Sequence, residues 1–168
     1  MNSRSKKQRD KKFAEIGEFI FCFSQLEFSI RIRLGEMLNI DDKYFDIVTS
    51  RYDFAMLCSV TKDIMLLKYP EAKKQIVKVF GACYDINAER KRIAHGTWAE
   101  GEEGLASRHV PREKISAAWY YDNVEELQKQ IRKAQQTMID VLHLPEPRSQ
   151  RQGGVTMVAA EIVMNDEP

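Results

Sequence analysis

Arg90-Lys91-Arg92-Ile93-Ala94-His95-Gly96 is the stretch from which the rest of the chain is read. The periodicity behind it runs through Ile76, Val79, Phe80 and Cys83, then Asn87, Arg90 and Ala94. At about 100° per residue these positions form one helical stripe, so Asn87 and Arg90 stand where Leu or Val is expected. Gly96 suits the position just past the C-terminus of that helix, which leaves His95 in the last turn. An arginine on a core-facing stripe needs a partner or a ligand, because burying an unpaired charge is costly. A histidine at a helix end, close to arginines, has the acid–base range for chemistry on phosphates.

Helical patterns lie on both sides of this segment. Residues 13 to 38 place Ile16, Phe19, Ile20, Phe23, Leu26, Ile30, Leu34, Met37 and Leu38 on one face, and Asn39 with Asp41-Asp42 breaks the pattern. A second helix spans about 50 to 68, with Phe54, Leu57, Cys58, Thr61, Ile64 and Met65 inward. Tyr69-Pro70 ends it, and Pro70-Glu71 opens the third, 70 to 95. Residues 97 to 121 change character. Trp98, Gly101, Gly104, Pro111 and the run Ala117 to Tyr121 describe a turn-rich insertion with room for two short strands. Asp122 and Glu125 resemble a capping box for the last helix, whose inner face is Val124, Leu127, Ile131, Ala134, Met138, Val141 and Leu142. The fold class expected is mostly α, an antiparallel four- to five-helix bundle with a short β-hairpin-like insertion before the last helix.

The 168 residues fit one domain with tails. Residues 1 to 12 are basic and read as a solvated, disordered N-terminus, although Arg4, Lys6, Lys7, Arg9, Lys11 and Lys12 have the charge to touch phosphates. The helical domain covers 13 to 144. From 145 to 168 the chain reads as a linker or disordered tail, whose apolar run Val155 to Met164 is of a length to add to a sheet edge or fill a partner's groove. Net charge is +1, so no global field marks a nucleic-acid or membrane binder, and any such contact must be local. No secretory h-region and no membrane-length apolar run is visible. Cys22, Cys58 and Cys83 sit among apolar residues and read as reduced core thiols, which suits a cytoplasmic location. No metal-ligand spacing, Gly-rich phosphate loop or nucleophile elbow is present, so neither a metal nor another cofactor is expected.

The first helix repeats the anomaly of the third. Glu27 lies in its apolar stripe, between Phe23 and Ile30. Two opposite charges on two core faces predict a Glu27–Arg90 pair, with Asn87 filling leftover hydrogen bonds. On that reading Arg90→Ala would strand Glu27, at a cost of about 3–5 kcal/mol. The pair by itself is equally a register device. His95 adds the chemical possibility, but five residues on it lies about 140° from Arg90 on a regular helix. The two are expected to converge across a crevice or a two-fold axis. His109, beside Arg108 and Arg112, and His143, near the end of the last helix, read as exposed residues. Trp98, Trp119, Tyr120 and Tyr121 read as packing for the insertion, with base stacking the alternative.

The run Arg90 to Gly96 resembles the signature of the HEPN superfamily (higher eukaryotes and prokaryotes nucleotide-binding). That signature is an Arg, usually a polar residue next, and a His four to six residues on at the end of a core helix. Ile16-Gly17-Glu18-Phe19 to Leu26-Glu27 is similar to the opening helix of such proteins. The resemblance covers roughly residues 13 to 143. It implies a HEPN-like bundle that forms a homodimer, with Arg and His of both protomers lining a shared cleft. Many members are metal-independent ribonucleases with the ribose 2′-hydroxyl as nucleophile. Carried onto this chain, Arg90 would bind the scissile phosphate and His95 would act as general acid or base, with Glu27 and Asn87 in support and Lys91 and Arg92 on the RNA. Lys91 departs from the family pattern, which often has Asn, Asp or His there. The expected function is a metal-independent endoribonuclease of the toxin or antiviral-defence kind, with RNA as substrate and an antitoxin or defence-system protein as partner. The alternative is a non-catalytic HEPN-like dimeric module that binds nucleotide, RNA or a protein.

Overall fold

The structure is a computed structural model, and it describes residues 3–100, 105–109, 118–121 and 124–146. Among these are five α-helices and three strands: α1 Ser3–Leu38, α2 Asp42–Thr49, α3 Phe54–Lys68, α4 Lys73–His95, β1 Thr97–Glu100, β2 Leu105–His109, β3 Ala118–Tyr120 and α5 Val124–Leu142. A single 3₁₀ turn, Pro70–Ala72, joins α3 to α4. The strands form an antiparallel sheet in the order β1-β2-β3 immediately before the last helix. The insertion therefore holds three strands rather than two.

Two boundaries differ from the sequence reading, each for a physical reason. α1 starts at Ser3, so the stretch expected to be disordered forms its first turns. What ties it down is Lys12, which is buried and donates from Nζ to the Tyr121 carbonyl at 3.0 Å. The Asp41-Asp42 break is the start of α2. Asp41 is extended and its carboxylate accepts from Lys43 N at 3.1 Å, so the residue that stops one helix caps the next. Asp53 caps α3 in the same way, accepting from Met56 N at 2.8 Å. Of the tail expected from 145 to 168, residues 147 onward, Val155 to Met164 included, lie outside the described residues.

α2 reverses the chain along the second half of α1, where Arg31 Nη1 donates to Thr49 O at 2.6 Å. α3 can then run beside α1 in the same direction, from Phe54 against Phe23 (4.5 Å between rings) to Lys68, whose Nζ donates to Met37 O at 2.5 Å. α4 returns. α5 runs back along both, antiparallel to α4, with Lys133 Nζ 3.0 Å from the Asp85 carboxylate and Gln75 bonding His143 O. Consecutive helices are thus antiparallel, but α1 lies parallel to both its main neighbours, α3 and α5, which the expectation of an antiparallel bundle did not distinguish. The core is the shared face of α1, α3, α4 and α5, centred on Phe19, Leu26, Ile30, Leu57, Phe80 and Leu127. Ile20 and Leu38, expected inward, are exposed. Arg33 is only 3% exposed, and closes the far end by donating to the Val141 and Leu142 carbonyls at the end of α5, the first of which also accepts from Leu144 N at 3.2 Å.

Candidate active site

The last turn of α4 is held by the sheet that follows it. Gly96 N and the Ser107 hydroxyl both donate to Arg92 O, each at 3.0 Å, and the Trp98 indole donates to Ile93 O at 3.0 Å. Gly96 has φ −73° and ψ 149°, so it is no left-handed cap. Its requirement is space, since a Cβ there would collide with Ser107 Oγ and Arg92 O. Strand β2 packs against the helix end only because residue 96 has no side chain, and that packing fixes where His95 stands.

Arg90 and His95 meet within one chain. Arg90 Nη1 lies 3.4 Å from His95 Nε2, and the guanidinium carbon stands 5.6 Å from the centre of the Phe23 ring. The angular argument from a regular helix placed them apart. The length of the arginine side chain overcomes that separation. A guanidinium only donates, so in a hydrogen bond between the two Nε2 is the acceptor. His95 is exposed and Arg90 half-buried, so a phosphate and a base nitrogen are both within reach from solvent.

Glu27 does not join them. Its Oε1 pairs with Arg31 Nη2 at 2.5 Å, and Arg31 also holds Thr49 O. Among the described residues no ion pair links Glu27 to Arg90. A partner four residues along the same helix satisfies Glu27 with less side-chain ordering than one on another helix. Asn87 is buried one turn before Arg90 without a hydrogen bond to it among the described residues. Lys91 is exposed beside the pair. Arg92 is committed elsewhere, to the Glu89 carboxylate and to the Tyr120 ring, whose centre is 4.8 Å away. Burial works against the Arg92 charge, and the hydrogen bond and charge of Glu89 more than compensate, raising its pKa.

A cluster around Tyr121 escaped the sequence reading. Tyr121 has φ +63°, in the left-handed region, and is 3% exposed. Its hydroxyl donates to Glu89 Oε2, the carboxylate that also holds Arg92. Its N–H donates to Glu126 Oε2 at 2.7 Å, its carbonyl accepts from Lys12, and Trp98 stacks on its ring at 5.9 Å. Burial, followed by the hydrogen bond and charge of Glu89, pushes its phenol pKa well up. Tyr121 thereby joins α1, α4, the sheet and α5, meeting α4 at Glu89. Nothing in composition marks it, although Trp119-Tyr120-Tyr121 before a helix start was the available signal. The aromatic residues mostly pack: Trp98, Tyr120 and Tyr121 are buried or half-buried, and Trp119 is exposed. His143 is exposed at the end of α5, and the His109 side chain lies outside the described residues.

No group of three or more potential metal ligands occurs among the described residues, and none of their helices is long and apolar enough to cross a membrane. A cavity of about 680 Å³ lies between α1, α2 and the end of α5, lined by Phe28, Ile32, Phe45 and Leu142 with Arg33 and Glu36 at its edge. Arg90 and His95 do not line it. The chain matches no family model, no curated protein and no solved structure in the comparisons.

Proposed function

We propose that this chain is a HEPN-like endoribonuclease, in which Arg90 and His95 of paired copies cleave RNA without a metal. The observation that supports the reading is the 3.4 Å approach of Arg90 Nη1 to His95 Nε2 on the exposed end of α4. An RNA phosphate bridging the two would receive donors from Arg90. His95 Nε2 would take the proton of the adjacent 2′-hydroxyl, whose oxygen then attacks phosphorus. The P–O5′ bond breaks as the 2′,3′-cyclic phosphate forms, and the leaving 5′-oxygen takes a proton from an imidazolium, supplied by the second copy's site. Arg90 stabilises the charge that builds on the phosphoryl oxygens. Lys91, exposed beside them, adds attraction for the neighbouring phosphates. Such an activity, uncontrolled in a cell, fits a toxin or defence role with an antagonist partner.

The test is cleavage of structured and unstructured RNA in EDTA. Wild type should yield 2′,3′-cyclic phosphate ends, and His95→Ala should lose most activity, since general acid–base catalysis contributes about 10²–10⁴-fold. If wild type binds RNA without cutting it, or if folded His95→Ala cuts equally well, the ribonuclease reading fails and the non-catalytic binding module replaces it.

A further inference from the structure

α1 has two apolar faces. Phe19, Leu26, Ile30 and Leu34 fill the core. On another flank Phe13, Ile20, Phe21 and Phe28 are 53, 38, 60 and 46% exposed. Gly17 and Ser24 lie between them, also exposed, and a Cβ on Gly17 would meet nothing within 4 Å. At 100° per residue these six positions fall in an arc of about 100°, the width of a buried helical stripe. The fold leaves this arc open because α3 begins only level with Phe23, and α2 reaches α1 no earlier than Phe28, whose ring meets Phe45 at 6.5 Å.

We infer that this face docks a second copy of the chain, with the two α1 helices crossing antiparallel. The stripe reads the same in both directions. Phe13, Gly17, Ile20, Phe21, Ser24 and Phe28 run large, small, apolar, apolar, small, large, with spacings symmetric about the point between Ile20 and Phe21. In a two-fold contact residue i meets residue j while j meets i. An antiparallel crossing at that point sets Phe13 over Phe28, Gly17 over Ser24 and Ile20 over Phe21, with the two small residues giving the helices room to approach. A different partner has no need of a stripe with this symmetry. The area is also adequate. A phenylalanine buries roughly 200 Å², so the exposed parts of the four large side chains offer roughly 350–400 Å² per copy. Both copies together supply nearly half of a standard interface of about 1,600 Å² before any flanking contact is counted. An exposed apolar patch of this size falls within the roughly 300–600 Å² of the largest patch on a typical monomer, which is often functional.

The crossing also decides where the two α4 ends go. The two-fold axis of an antiparallel pair is perpendicular to both helices, so side chains on one flank of α1 emerge on the same flank of the pair. Phe23 is within one turn of the pivot, and Arg90 stands over its ring. Arg90 and His95 of both copies therefore open on one common flank. This last step alone rests on the ribonuclease reading; the interface rests on α1.

Sedimentation of the full chain over about 1–100 µM, a range that brackets micromolar affinities, tests the interface. Wild type should sediment as a dimer, and Phe21→Glu as a monomer with unchanged helicity. Gly17→Cys mixed with Ser24→Cys should cross-link between copies with a short bismaleimide, whereas each variant alone should not. A wild type that stays monomeric, a dimeric Phe21→Glu, or equal cross-linking in the unmixed samples would overturn the inference. A wild-type dimer that Phe21→Glu dissociates but that cuts no RNA would leave the interface standing and remove only the ribonuclease.

Discussion

Arg90→Ala separates the site from the scaffold. Had Arg90 been the buried partner of Glu27, its removal would have cost about 3–5 kcal/mol. The structure gives it less to lose. Its contacts are the exposed approach to His95 at 3.4 Å and the stacking over Phe23 at 5.6 Å. A cation–π contact at a partly exposed site is worth about 0.5–1 kcal/mol, and an exposed hydrogen bond adds about 0.5 kcal/mol or less. Glu27 keeps Arg31 in the variant, so no charge is stranded. The expected loss is therefore about 1 kcal/mol, which for a domain of this size lowers Tm by roughly 3–5 °C. Urea unfolding followed by circular dichroism measures it, with the slope m unchanged if the fold is intact. RNA cleavage by the same sample should fall steeply while the protein stays folded. A loss above about 3 kcal/mol would refute this reasoning, because a buried-pair penalty of that size requires Arg90 to be a buried partner after all.

Other expectations follow from the same geometry. Arg33→Ala should cost more than Arg90→Ala, roughly 1.5–3 kcal/mol, because it strips a charged donor from the Val141 and Leu142 carbonyls; equal melting curves for the two variants would contradict this. Gly96→Ala should destabilise by about 1–3 kcal/mol through overpacking against Ser107 and Arg92 O, and should reduce RNA cleavage by displacing His95. Tyr121→Phe should cost roughly 1–3 kcal/mol, because it removes the phenol that donates to the Glu89 carboxylate. The Tyr121 phenol is held above its ordinary value of 10.0, so its contribution is complete below about pH 10 and is lost as pH rises from there toward its folded value. Urea midpoints at pH 9 and pH 11 should accordingly fall further in wild type than in Tyr121→Phe.

The helical periods were legible wherever one face is buried and the other wet. Leu57, Cys58 and Met65 of α3 and Leu127, Ile131 and Val141 of α5 point where their spacing requires. The end of α4 was legible as well, because a His before a Gly after an apolar run is a local signal. Glu27 was misassigned because an apolar stripe shows that a charge needs a partner but not which cation supplies it; Arg31, one turn away, was the nearer choice. Ile20 was placed inward because a period of 3.6 does not say how wide the buried face is. On α1 a second apolar face adjoins the first and blurs its edge. Tyr121 was out of reach for a different reason. Its left-handed backbone and its bonds to Lys12, Glu89 and Glu126 join four elements, and no spacing along the chain records them.

The three cysteines give the core an internal reporter. Cys22, Cys58 and Cys83 are free and buried, one each on α1, α3 and α4. Burial, with the charge of Glu18, pushes the Cys22 thiol up; for Cys58 the Cys83 thiol set against it acts first and burial second. A thiol reacts through its thiolate, so alkylating reagents find little to attack until a helix opens. Labelling rates at the three positions, read by mass spectrometry in the native buffer, then time the opening of three different walls of the bundle without any denaturant. The same inertness means that a cysteine introduced on the surface is the one that labels, so fluorescent or spin probes can be attached without first deleting the native thiols.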